Sequence, residues 1–232
     1  MKIVPVTDEL RQRPSFGDLR RAWPEFLFHD PISNEHWVSL YSERTEFQFA
    51  LVDGEEVLAE GNSIPVAGMP DGWRDAFPNG FGGGEPDHLC ALAVLVGIEH
   101  QGKGLSKLML EHMRGLAARR GWELVAPVRP TLKERYPLTP IERYASWRRE
   151  DGLLFDPWLR VHERLGAEVV GIGAEAMRIP GTVAEWESWA GLTFPESGSY
   201  VVPGALVPVE IDRERDEGLY IEPNVWMRHA AS

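Results

Sequence analysis

Eight consecutive residues, Leu89-Cys90-Ala91-Leu92-Ala93-Val94-Leu95-Val96, form a nearly unbroken apolar run, and the small-residue turn Gln101-Gly102-Lys103-Gly104-Leu105-Ser106 follows shortly after. Such a run is expected of a strand covered on both faces. Beyond the turn, Leu105, Leu108, Met109, His112, Met113 and Leu116 recur at three- and four-residue spacings, which makes one apolar helical face. A strand covered on both faces, a tight turn and an amphipathic helix are parts that suit an α/β fold. A helix that opens at a glycine turn also points free N–H groups and the positive end of its dipole at whatever sits there, and phosphate is the usual guest. The turn has neither the eight-residue phosphate-loop pattern nor a dinucleotide fingerprint. The plainer alternative is a strand-to-helix turn whose glycines serve only geometry.

Composition narrows the classes of function. The chain has 232 residues, enough for one large domain with a buried core. Its single cysteine, Cys90, has no intrachain partner, which suits a reducing cytoplasm. No secretory pattern opens the chain and no apolar run reaches membrane-spanning length, so the expectation is a soluble, cytoplasmic protein without membrane contact. The net charge of −12 repels nucleic acid and favours a cationic amine as substrate, although surplus acid also serves solubility alone. The histidines and the cysteine lack metal-ligand spacing, so no metal is expected.

Along the chain, residues 1–7 read as a strand and Phe16–His29 as a helix that Pro24 could divide. Asp30-Pro31 opens a second helix. A hairpin turns at Asp53-Gly54-Glu55-Glu56. Residues 68–87, dense in glycine and proline, read as a long ordered loop. The helix after the glycine turn should stop near Arg120-Gly121, with Trp122–Val128 as the next strand. Asp156 reads as an N-cap and Pro157 as the first turn of a further helix ending at Arg164-Leu165-Gly166-Ala167.

The turn resembles the pyrophosphate-binding motif of the GNAT superfamily of acyl-CoA N-acyltransferases, Gln/Arg-x-x-Gly-x-Gly/Ala, with Gln101, Gly104 and Ser106 at the defining positions. Ser106 departs from the usual Gly or Ala. The element order also resembles the GNAT core over roughly residues 1–180, most sharply over 87–126. The resemblance implies a mixed, mostly antiparallel central sheet flanked by helices in one domain spanning 1–232, with an insertion at about 129–151 and a C-terminal extension at about 180–232.

It further implies an acetyl-CoA-dependent N-acetyltransferase acting on a primary amine of a small molecule, by direct attack in a ternary complex. The coenzyme would be held by Val94, Leu95 and Val96, whose strand parts from its neighbour at a bulge, and by Gln101, Gly102, Lys103, Gly104, Leu105, Ser106 and Lys107. His162 stands where family members commonly carry a tyrosine general acid; an imidazolium could protonate a thiolate instead. The resemblance gives no fixed position for the base. Asp87 is the choice made here, with Glu85, His88 and Glu60 as alternatives. The segments Arg143–Trp147 and Tyr220–Trp226 mix aromatic and polar residues as pocket walls and packing elements both do. Other readings left open are a longer acyl-CoA or carrier-protein thioester as donor, a non-catalytic acyl-CoA-binding module, and a homodimer.

Overall fold

The computed structural model describes residues 1–70 and 72–231. The strands are β1 (Lys2–Pro5), β2 (Gln48–Asp53), β3 (Glu56–Val66), β4 (His88–Val96), β5 (Glu123–Val128), β6 (Glu168–Gly181), β7 (Gly198–Tyr200), β8 (Val209–Asp212) and β9 (Glu217–His229). The helices are α1 (Asp8–Arg11), α2 (Pro14–Asp18), α3 (Pro31–Glu43), α4 (Trp73–Phe81), α5 (Leu105–Ala118), α6 (Ile141–Ala145), α7 (Pro157–Arg164) and α8 (Val183–Ala190). The strands form one sheet in the order β1-β2-β3-β4-β5-β9-β8-β7, with β6 also paired to β9. Among the described residues the β4–β5 pairing is parallel and the others are antiparallel, the mixed sheet expected of the family.

The β4–β5 pairing has a decisive feature: it ends early. His88, Leu89 and Cys90 pair with Glu123, Leu124 and Val125, and no register continues beyond them. On the other side β4 stays paired with β3 as far as Val96, with a bulge at Leu92, since Ser63 pairs with Ala91 and Asn62 with Ala93. A bulge bends its strand and strengthens the local twist. The second half of β4 therefore follows β3 while β5 follows β9, and the sheet opens into a wedge.

Helix α5 covers the β3–β5 region with Leu105, Met109, Leu110, Met113 and Leu116, all buried. Each such side chain removed from water contributes about 1.5–3 kcal/mol. Leu108 belongs to the apolar repeat but is exposed, because the stripe turns away from it. Pro24 does divide the first helical region, into α2 and two short 3-10 turns, and Asp30 caps α3 by accepting from the Ser33 N–H at 2.7 Å.

Two expectations need correction. Residues 68–87 are not a plain loop, for α4 lies within them, with Trp73, Ala76, Phe77 and Gly80 buried at helical spacing. Local propensity is overridden here by packing: a Cβ on Gly80 would stand 2.4 Å from Ile64, so glycine lets the helix lie on β3. Nor is the chain after residue 180 an appendage to a finished core. β9 pairs with β5 through Val225–His229 and with β6 along Gly218–Arg228, so the last strand is part of the central sheet. The inserted segment after β5 is anchored by Lys133, a buried ammonium donating to the carbonyls of Tyr136 at 2.8 Å and Leu206 at 2.6 Å. Among the described residues, no helix is long and apolar enough to cross a membrane, and no group of three or more His, Cys, Asp or Glu is placed to hold a metal ion.

Candidate active site

The wedge between β4 and β5 opens into a cleft of about 670 Å³ that reaches both ends of the expected site. One wall is backbone. Gly97 N–H donates to the Leu58 carbonyl at 3.0 Å, so by strand alternation Leu95 and Ala93 also turn their amides toward β3. Val94 and Val96 then turn theirs toward the open wedge, where β5 has departed. Their N–H groups are left without a strand partner in the β4–β5 pairing. Leu95, expected to join them, lines the cleft but has its amide committed to β3.

The glycine turn continues this wall. Gly102 and Gly104 have φ of +75° and +78°, a left-handed conformation that side-chain-bearing residues rarely adopt, and the space beside each is open. No side chain caps the first turn of α5, so its N–H groups face outward. Gln101 reaches back to the Val96 carbonyl at 3.4 Å, fixing the turn against the strand end. The arrangement fits a pyrophosphate group: donors, the positive end of a helix dipole, and room for an anion at the glycines. Gln101, Gly102, Gly104, Leu105 and Ser106 all line the cleft. Lys103 and Lys107 do not. Both are exposed, and Lys107 is spent on an ion pair with Glu111 at 3.4 Å.

His162 is carried to the same cleft by α7. Asp156 caps that helix through Oδ1, accepting from Trp158 N–H at 2.9 Å and Leu159 N–H at 3.2 Å, while its Oδ2 accepts from Leu132 N–H and Tyr144 O–H, each at 2.8 Å. One buried carboxylate thus ties α7 to the inserted segment. His162 is 1% exposed, lies against the Trp158 ring and meets His229 ring to ring, Nδ1 to Nε2, at 3.0 Å. Burial first, and then the facing His229, push its pKa well below the ordinary histidine value. The imidazolium acid expected from sequence is therefore corrected: His162 is a neutral ring at physiological pH.

Asp87 is corrected as well. It precedes Val94 by seven positions on an extended strand, roughly 23 Å. It sits at the closed end of the wedge, where it accepts from Gly68 N–H at 2.6 Å and contacts His88 Nδ1 at 2.7 Å. Those bonds, His88 first, lower its pKa and leave a solvated carboxylate outside the cleft. Glu85 and His88 share that end of β4. Glu60 is buried in a bond from Tyr41 O–H at 2.5 Å and is likewise absent from the lining. Cys90 is fully buried, and burial raises its thiol pKa, which argues against an acyl-enzyme.

On the far wall, Glu222 and Asn224 belong to the Tyr220–Trp226 segment expected as pocket wall or packing element, whereas Trp23, Trp73, Arg129 and Glu134 were not singled out as pocket residues from the sequence. Trp23 and Trp73 enter from before β4, Arg129 and Glu134 from just after β5, and Glu222 and Asn224 from β9. Glu222 is fully buried and accepts from Arg129 Nε at 2.9 Å, from Tyr220 O–H at 2.8 Å and from Asn224 Nδ2 at 3.3 Å. Arg129 also donates to the Gly204 carbonyl. Burial works against the Arg129 cation, but Glu222, with Tyr220 and Glu134, more than offsets it and raises its pKa. A carboxylate inside the apolar strand Tyr220–Trp226 was the available signal for this wall. The Arg143–Trp147 segment is not part of it, since Tyr144 and Trp147 pack with Tyr136 and Phe155.

No protein-family model matches the chain. An arginine N-acetyltransferase, avaD of Aspergillus versicolor, is 33% identical over 245 residues, spanning 89% of this chain and 84% of that protein. Among solved structures, the loading GNATL domain of CurA from Lyngbya majuscula superposes with a TM-score of 0.66 at 19% identity, over 99% of this chain and 97% of that one. An aminoglycoside 6'-N-acetyltransferase complexed with coenzyme A gives 0.50 at 15% identity, over 100% of this chain and 98% of that one. The wedge, the glycine turn at its mouth and a relative matched over nearly the whole chain lead to one conclusion: the chain belongs to the GNAT superfamily of N-acetyltransferases and is an enzyme that uses acyl-CoA to acylate an amine.

Proposed function

We propose that the chain transfers the acetyl group of acetyl-CoA to an amine of arginine or a closely similar cationic amino acid, by direct attack with both substrates bound. The observation that carries this reading is the continuity of the cleft, from the amides of Val94 and Val96 and the Gln101–Ser106 turn to the Arg129–Glu222 wall. The relative's acceptor is arginine. Beside the Arg129–Glu222 ion pair the far wall carries the exposed carboxylate of Glu134, which suits a cationic side chain. The charge of −12 favours approach of such an acceptor.

In this reading the turn holds the pyrophosphate and the Val94 and Val96 N–H groups hold the pantetheine arm and polarise the thioester carbonyl. The ammonium first gives a proton to solvent; the neutral amine nitrogen then attacks that carbon, a C–N bond forms and the C–S bond breaks. The proton released by nitrogen goes to His162, the titratable ring that lines the cleft, and the sulfur departs as thiolate to be protonated from solvent. Lys103 and Lys107 act only as solvated charge near the turn. Thiol release from acetyl-CoA across a panel of cationic, neutral and acidic amino acids tests the assignment. Arginine should lead the panel. Preference for an acidic or uncharged acceptor would overturn the acceptor reading, and faster release from a longer acyl-CoA the acetyl reading. Coenzyme binding with no turnover on any amine would overturn the acceptor assignment altogether.

A further inference from the structure

We propose that Arg129 and Asn224 form a head-group site for an α-amino acid: Arg129 Nη1 donates to the carboxylate of the acceptor, and Asn224 Oδ1 accepts from its α-amine. The inference deepens the acceptor reading above and rests on it. Both residues line the cleft, and both are held by one buried carboxylate, Glu222. Glu222 Oε2 accepts from Arg129 Nε at 2.9 Å and Oε1 from Asn224 Nδ2 at 3.3 Å, so the two side chains stand next to each other on the wall. They come from the chain just after β5 and from β9, and no local spacing links them.

What each side chain has left over decides what it can bind. A guanidinium is planar, with Nε and Nη2 on one edge and Nη1 on the other. In Arg129 the first edge is spent, since Nε donates to Glu222 and Nη2 to the Gly204 carbonyl. Nη1, with its two N–H groups, makes no hydrogen bond among the described residues, and the side chain remains 21% exposed in the cleft. Asn224 is 3% exposed, and its amide orientation is fixed because Nδ2 meets two acceptors, Glu222 Oε1 and the Pro223 carbonyl at 2.9 Å. Its Oδ1 therefore carries the lone pairs, and no donor among the described residues reaches it. A donor edge beside an acceptor oxygen matches a carboxylate next to an amine. The Arg129–Glu222 pair is neutral as a whole, so recognition depends on the direction of the Nη1 bonds and not on net charge. Glu134 is left for the cationic side chain; its Oε2 lies 3.9 Å from the place of a Cβ on Gly204, whose carbonyl Arg129 bonds.

Calorimetric binding to the full chain with coenzyme A present tests this without any substitution and apart from turnover. Arginine is compared with agmatine, which lacks the carboxylate, and with argininamide, which keeps its shape but not its charge. Kd should rise about 10- to 100-fold for both, the scale of a hydrogen bond to a charged group. Equal Kd for arginine and agmatine would overturn the inference. If another amino acid binds in place of arginine, the arginine reading fails alone, and the same comparison of that amino acid with its amide decides the head-group site. Binding only of amines without a carboxylate, or of no amino acid, would overturn both. Arg129→Lys keeps a cation for Glu222 but has one nitrogen in place of the fork, so the agmatine-to-arginine Kd ratio should collapse toward one. A ratio kept at its wild-type value would overturn the part given to Arg129. Asn224→Leu should weaken arginine about tenfold more than desamino-arginine, the same molecule without its α-amine. Equal weakening would remove Asn224 from the site, and if either variant does not fold, the wild-type comparison decides.

Discussion

The two walls of the cleft are built by opposite means. The wall proposed for the coenzyme is a continuous piece of chain, Val94 to Ser106, and most of what it offers is backbone: two amides freed by the parting of β4 and β5, and the first turn of α5. The far wall, proposed for the acceptor, draws on four separated places, Trp23, Trp73, Arg129 with Glu134, and Glu222 with Asn224. A backbone wall recognises what all acyl-CoA donors share. A side-chain wall can differ at each position while the donor site stays intact.

Four measurements would break or sharpen this division. The largest effect is expected at the acceptor wall, where Glu222→Ala leaves the Arg129 cation largely buried and unpaired; the loss should be about 4 kcal/mol, read as a drop in thermal midpoint. A midpoint unchanged within error would mean that the pair is not what joins β9 to the inserted segment. At the coenzyme wall, Gly104→Glu forces a left-handed residue to carry a side chain and sets a carboxylate where phosphate should bind. KM for acetyl-CoA should rise roughly 100-fold, about 2.7 kcal/mol, while the thermal midpoint falls far less than in the Glu222 variant. Unaltered coenzyme affinity would remove the turn from the site.

His162 lines the cleft, and His229 behind it gives a pH dependence. Burial, first, and Arg114, second, lower the His229 pKa to about 4, with the Leu165 carbonyl opposing them. The unfolded chain therefore binds the proton before the folded one does, and stability falls as pH drops from about 6.5 toward 4. Between pH 6.5 and 5 this amounts to about 2 kcal/mol. His229→Gln should flatten that part of the midpoint-against-pH curve, and a curve of the same slope in both proteins would show that the ring does not titrate as argued. The smallest effect belongs to Asp87→Asn, at the closed end of the wedge, where turnover should stay within about twofold because a solvated surface change rarely exceeds ~0.5 kcal/mol. A large loss there would reinstate Asp87 and contradict the division itself.

Legibility in the sequence followed the same line. Leu89–Val96, the turn and α5 were readable because period, glycine and apolar stripe are all local signals. Asp156 was readable as a cap for the same reason. Helix α4 was not, because Trp73, Ala76, Phe77 and Gly80 are helical through their packing on β3 and not through propensity. Asp87 was misjudged because nearness in sequence to the apolar strand hid the length of that strand. His162 was found by position but given the wrong protonation state, since its pKa is set by burial and by a ring 67 residues away.

The sequence alone determined the local pieces of the half proposed for the donor: a strand, a glycine turn and a helix N-terminus in an α/β chain, which together suit a pyrophosphate. Those features depend on φ preferences and on spacings within one element, which neighbouring residues carry among themselves. Only the tertiary structure decided the rest: that β4 leaves β5 after Cys90, that β9 enters the sheet beside β5, and that Arg129 meets Glu222 and His162 meets His229. Each of these joins residues far apart in the chain. Their pairing, burial and proton affinities exist only once the sheet has brought them together.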